Sequence, residues 1–192
     1  MRRALVILAT ALALCGAGAL AVVQTQPAWY LRARYPLAYS SILRVHAATY
    51  GIDPALLAAV IDTESKFDPQ TRSSAGAIGL MQLLPSTAQG IADRTGGGGF
   101  TAADLTDPEI NIRYGCWYLR HLRERYAARR DPVDLSLAAY NAGQANVDRW
   151  VADTPTGESV RIAFPETRAY VARVHRLQHI YRKAYDLGAA AR

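Results

Sequence analysis

A glutamate at position 64 stands where the surrounding sequence calls for an apolar helical side chain. Asp53-Pro54 reads as a helix start: Asp accepts free N–H groups and Pro suits the first helical position. Beyond it Leu57, Val60 and Ile61 share one face at i, i+3 and i+4, and position i+7 of that face is Glu64. The spacing places a carboxyl group on the core-facing stripe, in the last turn, near the negative end of the helix dipole. Desolvation and the dipole both disfavour its charged form. A carboxylic acid kept neutral near neutral pH can donate a proton to a leaving group. The competing reading is a half-exposed Glu at a frayed helix end.

Other residues around Glu64 are suited to a polar ligand. Nine residues on comes Ser73, then Gly76-Ala77-Ile78-Gly79-Leu80-Met81-Gln82. Farther along lie Ala139-Tyr140-Asn141-Ala142-Gly143 and Phe164-Pro165-Glu166-Thr167-Arg168-Ala169-Tyr170-Val171. Gln82 carries both a donor and an acceptor. Glu166 falls in the first turn of a helix, where a carboxylate stays ionised. Most glycosidic chemistry uses a second carboxylate. Asp62 lies near the opposite side of the helix, and Asp68, before Pro69, reads as a turn former. Metal chemistry finds no support: His175 and His179 have i, i+4 spacing, yet Arg-Leu-Gln separates them and no third ligand stands nearby. Gly96 to Gly99 lacks the Lys-Ser/Thr of a phosphate cradle and reads as a loop.

These residues need helices to position them. Ser40 to Tyr50 and Pro54 to Ser65 read as the first two of the main body. Phe67 to Leu84 is irregular, broken by Pro69, Gly76 and Gly79. Pro85 opens a helix to about Thr95. Thr106-Asp107-Pro108-Glu109 combines a Thr-x-x-Glu capping box with Pro at the first position. That helix runs to about Ala128, its apolar face marked by Ile110, Tyr114, Trp117, Tyr118 and His121. Asp131-Pro132 opens another, ending at Gly143, and a short one spans about Ala145 to Asp153. Pro165 opens the last, to about Tyr185, with Tyr170, Val174, Leu177 and Tyr181 on one face. Alternating strand patterns are scarce, so the fold class is all-α or nearly so.

The 192 residues, 51% hydrophobic, suit one domain with its own core. Met1-Arg2-Arg3 precedes Ala4 to Val23, twenty uncharged residues. That length spans a bilayer as a helix, and the arginines hold the N-terminus inside. Ala19-Leu20-Ala21 offers a small-x-small site, so a cleavable signal is the alternative to an uncleaved anchor. Either way the remainder is expected to work outside the cytoplasm. The expected divisions are an anchor or signal at 1–23, a juxtamembrane connector at 24–34 and the catalytic domain at 35–192. Formal charge is +6, or +4 without Arg2 and Arg3. That suits an anionic polymer or membrane surface and equally an Arg-rich composition with no ligand. No basic run is interleaved with aromatics, which argues against nucleic acid. Cys15 lies in the apolar segment after Leu14, which disfavours lipidation. Cys116 reads as a small buried side chain, and no disulfide framework is expected.

The set E-S-x-F-D-P from Glu64, G-A-x-G-L-M-Q from Gly76, A-Y-N-A-G from Ala139 and F-x-E-T-R-x-Y-V from Phe164 resembles the catalytic domain of the soluble lytic transglycosylases. These are lysozyme-like enzymes that cut bacterial peptidoglycan. The resemblance runs from about Tyr35 to Tyr185, with small departures at Ala163 and Leu84. It implies a lysozyme-like helical domain, no cofactor, and Glu64 as sole acid and then base. The implied reaction protonates the β-1,4 MurNAc–GlcNAc oxygen and closes a 1,6-anhydro ring through the sugar's own C6 hydroxyl. It also implies substrate contacts for Ser73, Met81, Gln82, Tyr140, Glu166 and Tyr170. Plain structural roles compete for each: a loop serine, a core methionine, core tyrosines, a helix-start Glu. A hydrolytic muramidase of the goose-lysozyme type is the nearest alternative function, and a non-catalytic wall-binding module the next.

Overall fold

A computed structural model of the chain describes residues 2–187; within the first helix the side chains at 4, 6, 8, 9, 11, 13 and 19 lie outside that description. The described residues fold into nine α-helices and one turn of 3-10 helix. α1 is Arg2–Thr25, 24 residues. Among the described residues no helix is long and apolar enough to cross a membrane. α2 (Ala28–Arg34) lies inside the expected connector. It is docked rather than free: Leu31 is buried, Arg32 Nε donates to the Ala184 carbonyl at 2.6 Å, and its guanidinium lies over the Tyr185 ring. Such long-range contacts leave no local periodicity for a seven-residue segment to show.

The helix carrying Glu64 is α4 (Pro54–Ser65), with the expected bounds. The Asp53 side chain caps it, accepting from the Ala55 N–H at 2.8 Å, and is itself held by Gln178 at 2.9 Å. Ala55, Leu57, Ala58, Ala59, Val60 and Ile61 are all fully buried. One apolar stripe therefore understates the case: the helix is enclosed on every side, as a core helix must be when apolar all round. α3 (Ser40–Tyr50) and α9 (Pro165–Tyr185) pack against it. Small Ala58 and Ala59 leave room for a close approach. Tyr170, Val174, Leu177 and Tyr181 of α9 are buried, as their spacing requires.

α5 (Pro85–Thr95), the 3-10 turn (Ala102–Thr106) and α6 (Pro108–Arg125) form a second, smaller lobe. Its core gathers Ile78, Leu83, Ala88, Ile91, Leu105 and Tyr114. α7 (Pro132–Ala142) and α8 (Gln144–Ala152) complete the main body. Tyr118 and Tyr140 abut both clusters and mark the seam. The segment between α4 and α5 holds only the isolated bridges Arg72 to Ile78 and Ile78 to Leu83.

Two local expectations are corrected. Asp107, not Thr106, caps α6, accepting from the N–H groups of Glu109 and Ile110 at 2.8 and 3.1 Å. The capping box belongs to the 3-10 turn, made by Thr101 and Asp104. The expected apolar face of α6 looks toward the second lobe, and its last member, His121, is exposed and stacked on Trp117. The stripe into the main core is Ile112, Cys116, Leu119 and Leu122. A helix packed on two sides carries two stripes, and the aromatic one is easier to see.

Candidate active site

Glu64 sits in the last turn of α4, where the chain is forced to leave the helix. Lys66 and Phe67 both adopt left-handed backbone, with φ of 56° and 63°. Ser65 is buried, and its hydroxyl donates to the carbonyls of Leu80 at 2.8 Å and Ile61 at 3.2 Å. The serine beside the glutamate thus ties the helix end to the loop over 76–82.

That loop is built round Asn111 of α6, a fully buried residue that sequence reasoning missed. Its amide donates to the carbonyls of Leu105 (2.8 Å) and Ile78 (3.0 Å), and its Oδ1 accepts the Met81 N–H at 2.7 Å. Gly79, with φ of 82°, passes so close that a Cβ there would stand 2.2 Å from the Leu105 carbonyl oxygen. The expected reason for this glycine was close approach to a sugar; the observed one is close approach to its own scaffold. Met81 is fully buried against Gly115, so it supports the site from below and does not line it. Its carbonyl accepts the Tyr140 hydroxyl at 2.7 Å.

The other expected residues divide. Tyr170 reaches Glu64 directly, its hydroxyl donating to Oε1 at 2.6 Å. Tyr140 lies close enough to feel the Glu64 charge. Gln82, at φ 47°, spends its amide N–H groups on the carbonyls of Thr71 and Gly79, leaving Oε1 to face a ligand. Ser73 is exposed, and its hydroxyl accepts the Ala77 N–H at 3.0 Å rather than meeting Glu64. Glu166 is exposed on the first turn of α9. Neither candidate second carboxylate is available: buried Asp62 accepts from Lys66 and from the Tyr181 hydroxyl, and Asp68 accepts the Gln70 N–H. His175 pairs with Asp134 of α7 at 2.7 Å.

Burial pushes the Glu64 carboxyl up to about 7, and the Tyr170 hydrogen bond pulls part of the way back. Burial also raises Tyr170 and Tyr140, so both remain donors. The centre is thus a single desolvated acid, protonated in an appreciable fraction at neutral pH, with one phenol fixing its orientation.

Replacing Tyr170 by Phe removes the only listed influence that lowers the Glu64 value, since Phe keeps the ring and loses the donor. The alkaline limb of the activity profile is expected to move to higher pH. Turnover should also fall by roughly tenfold, the equivalent of one lost hydrogen bond of about 1.4 kcal/mol. A pH–rate comparison of the two proteins checks both.

The comparisons agree with this geometry. The family model for the transglycosylase SLT domain matches residues 41–161. The chain is 32% identical over 160 residues to the soluble lytic murein transglycosylase of Escherichia coli, covering 80% of this chain and 24% of that protein. It is 37% identical over 123 residues to membrane-bound lytic murein transglycosylase C of Actinobacillus succinogenes, covering 61% and 34%. The solved structure of an inactive mutant of the lytic transglycosylase Slt from Pseudomonas aeruginosa superposes with a TM-score of 0.72 at 31% identity, covering 88% of this chain and 28% of that one. The chain thus spans about a quarter to a third of the length of these relatives.

Proposed function

The chain belongs to the transglycosylase SLT domain family, and on that premise we propose that it is a peptidoglycan lytic transglycosylase with Glu64 as its single acid and base. The observation that carries the reading is the Glu64 carboxyl, desolvated to about 7 and held by Tyr170. Glu64 gives its proton to the oxygen of the β-1,4 MurNAc–GlcNAc bond as the C1–O bond breaks. The N-acetyl carbonyl of the same MurNAc stabilises the positive C1. The carboxylate left behind then takes the proton of the C6 hydroxyl as that oxygen bonds to C1. The proton count returns to its start, no water enters, and the product ends in a 1,6-anhydro ring.

Gln82, Tyr140 and Glu166 are the proposed substrate contacts, with Tyr170 as the positioning residue for Glu64. Ser73 is the more peripheral candidate, on the exposed turn before the loop. The catalytic unit is proposed to run from Tyr35 to the end of α9, because α9 supplies Tyr170. Residues 1–23 are proposed as an anchor holding this unit outside the cytoplasm at the membrane, through the docked α2. The apolar sequence of α1 and the membrane-bound relative support that reading.

Mass spectrometry of digested peptidoglycan tests the function. The proposal expects new MurNAc ends one water lighter than reducing ends. Reducing ends alone would make the chain a hydrolytic muramidase, and no new ends at all would make it a wall-binding module.

A further inference from the structure

Beside the acid lies a cavity of about 410 Å³ whose wall is strongly cationic. Arg34, Lys66, Arg173 and Arg176 all line it, with Asp62 and Tyr181 at its floor. Asp62 is the only carboxylate among them, and Lys66 together with the Tyr181 hydroxyl already occupies it. Among the described residues Arg34, Arg173 and Arg176 have no carboxylate partner. Three guanidiniums facing one cavity repel one another and concentrate anions there. A guanidinium also offers the planar pair of donors that a carboxylate accepts.

The cavity is joined to the active site through two elements. Lys66 follows Glu64 by two residues. Arg173 lies about one turn of α9 beyond Tyr170, whose hydroxyl holds Glu64. Three of the four cations thus belong to the helices that build the site or to the exit from one of them. Only Arg34 belongs to α2.

We propose that this cavity binds a carboxylate of the peptide stems carried by peptidoglycan, so that the chain reads the peptide as well as the glycan. The proposal rests on the glycan-cleaving reading above. A MurNAc whose anomeric carbon sits at Glu64 carries its lactyl-linked peptide on the same ring. An extended peptide advances about 3.3 Å per residue, so two or three residues span the short step from one helix turn to the next. Stem peptides carry free carboxylates at that range, and Arg173 and Arg176 are the groups to receive one.

The full chain is tested on glycan strands that keep their stems and on the same strands stripped of stems by an amidase. Wild type is expected to show a KM about tenfold lower for stem-bearing strands, the worth of one charge-assisted contact. In the Arg173→Gln/Arg176→Gln variant the ratio between the two substrates should fall to about one. Equal KM values in wild type, or a variant that keeps the preference, overturns the proposal. Failure of wild type to cleave either substrate overturns the glycan-cleaving reading and this proposal with it. Co-sedimentation with phosphatidylglycerol vesicles separates the other source of anions. If the variant loses vesicle binding but keeps the stem preference, the cavity serves a lipid headgroup and the proposal is wrong.

Discussion

Glu64→Gln is expected to cut the cleavage of glycan strands by about a thousandfold or more while leaving the chain folded. Gln keeps the shape and the acceptor for the Tyr170 hydroxyl, and loses only the proton that the leaving oxygen requires. The same change should make the protein more stable at high pH. The folded chain holds the Glu64 proton to about 7, against 4.5 for the ordinary side chain. Ionising the folded chain therefore costs stability as pH rises through that window. The cost is absent below about 4.5, grows toward 7 and is complete above it, with an upper bound of about 3 kcal/mol. Gln has nothing to ionise. Denaturant titrations at high and low pH check this: the variant should exceed wild type in stability at high pH, and the difference should shrink toward zero under acid conditions. Equal stability at high pH would mean that the carboxylate is not desolvated. A catalytic residue that costs stability in its resting place is the usual trade at an active site.

Gly79→Ala is the second large effect. Its Cβ would stand 2.2 Å from the Leu105 carbonyl oxygen and 2.3 Å from Asn111 Nδ2, and its φ of 82° is one that L side chains avoid. Backbone cannot yield as a side-chain tip can, so the loop over 76–82 must shift or Asn111 must release its three partners. Losing those buried hydrogen bonds and adopting the strained backbone together cost about 3 kcal/mol or more. Because Ser65 binds the Leu80 carbonyl, the shift carries to the end of α4 and activity falls with stability. Gly76→Ala is the control. Its φ is 84°, yet nothing stands within 4 Å of the added methyl, so only the backbone cost of about 1 kcal/mol remains. Thermal unfolding and activity of the two variants separate packing from conformation. Equal losses would show that the scaffold contact carries no weight.

The helices were legible because their ends are written locally. Asp-Pro or Pro alone opens α4, α5, α7 and α9, and each was expected at the bound observed. Glu64 was legible because a polar residue breaks an apolar run. What the expected site lacked lies in contacts between distant parts of the chain. Tyr170 is 106 residues from Glu64, and its spacing on α9 fits a core tyrosine as well as a partner for the acid. Asn111 follows an ordinary helix start, and only the fold brings it under the loop at 78–81. Met81 reads as a soft contact surface until Gly115 is seen to receive it. Gly79 carried the right demand, freedom from a Cβ, with the wrong neighbour assigned.

Titration of the Glu64 carboxyl carbon by NMR, assigned by its absence from Glu64→Gln, tests the central claim most directly. The account predicts a midpoint at about 7. A midpoint at the ordinary value of 4.5 would show a solvated carboxylate with no proton to give at neutral pH, and would contradict it.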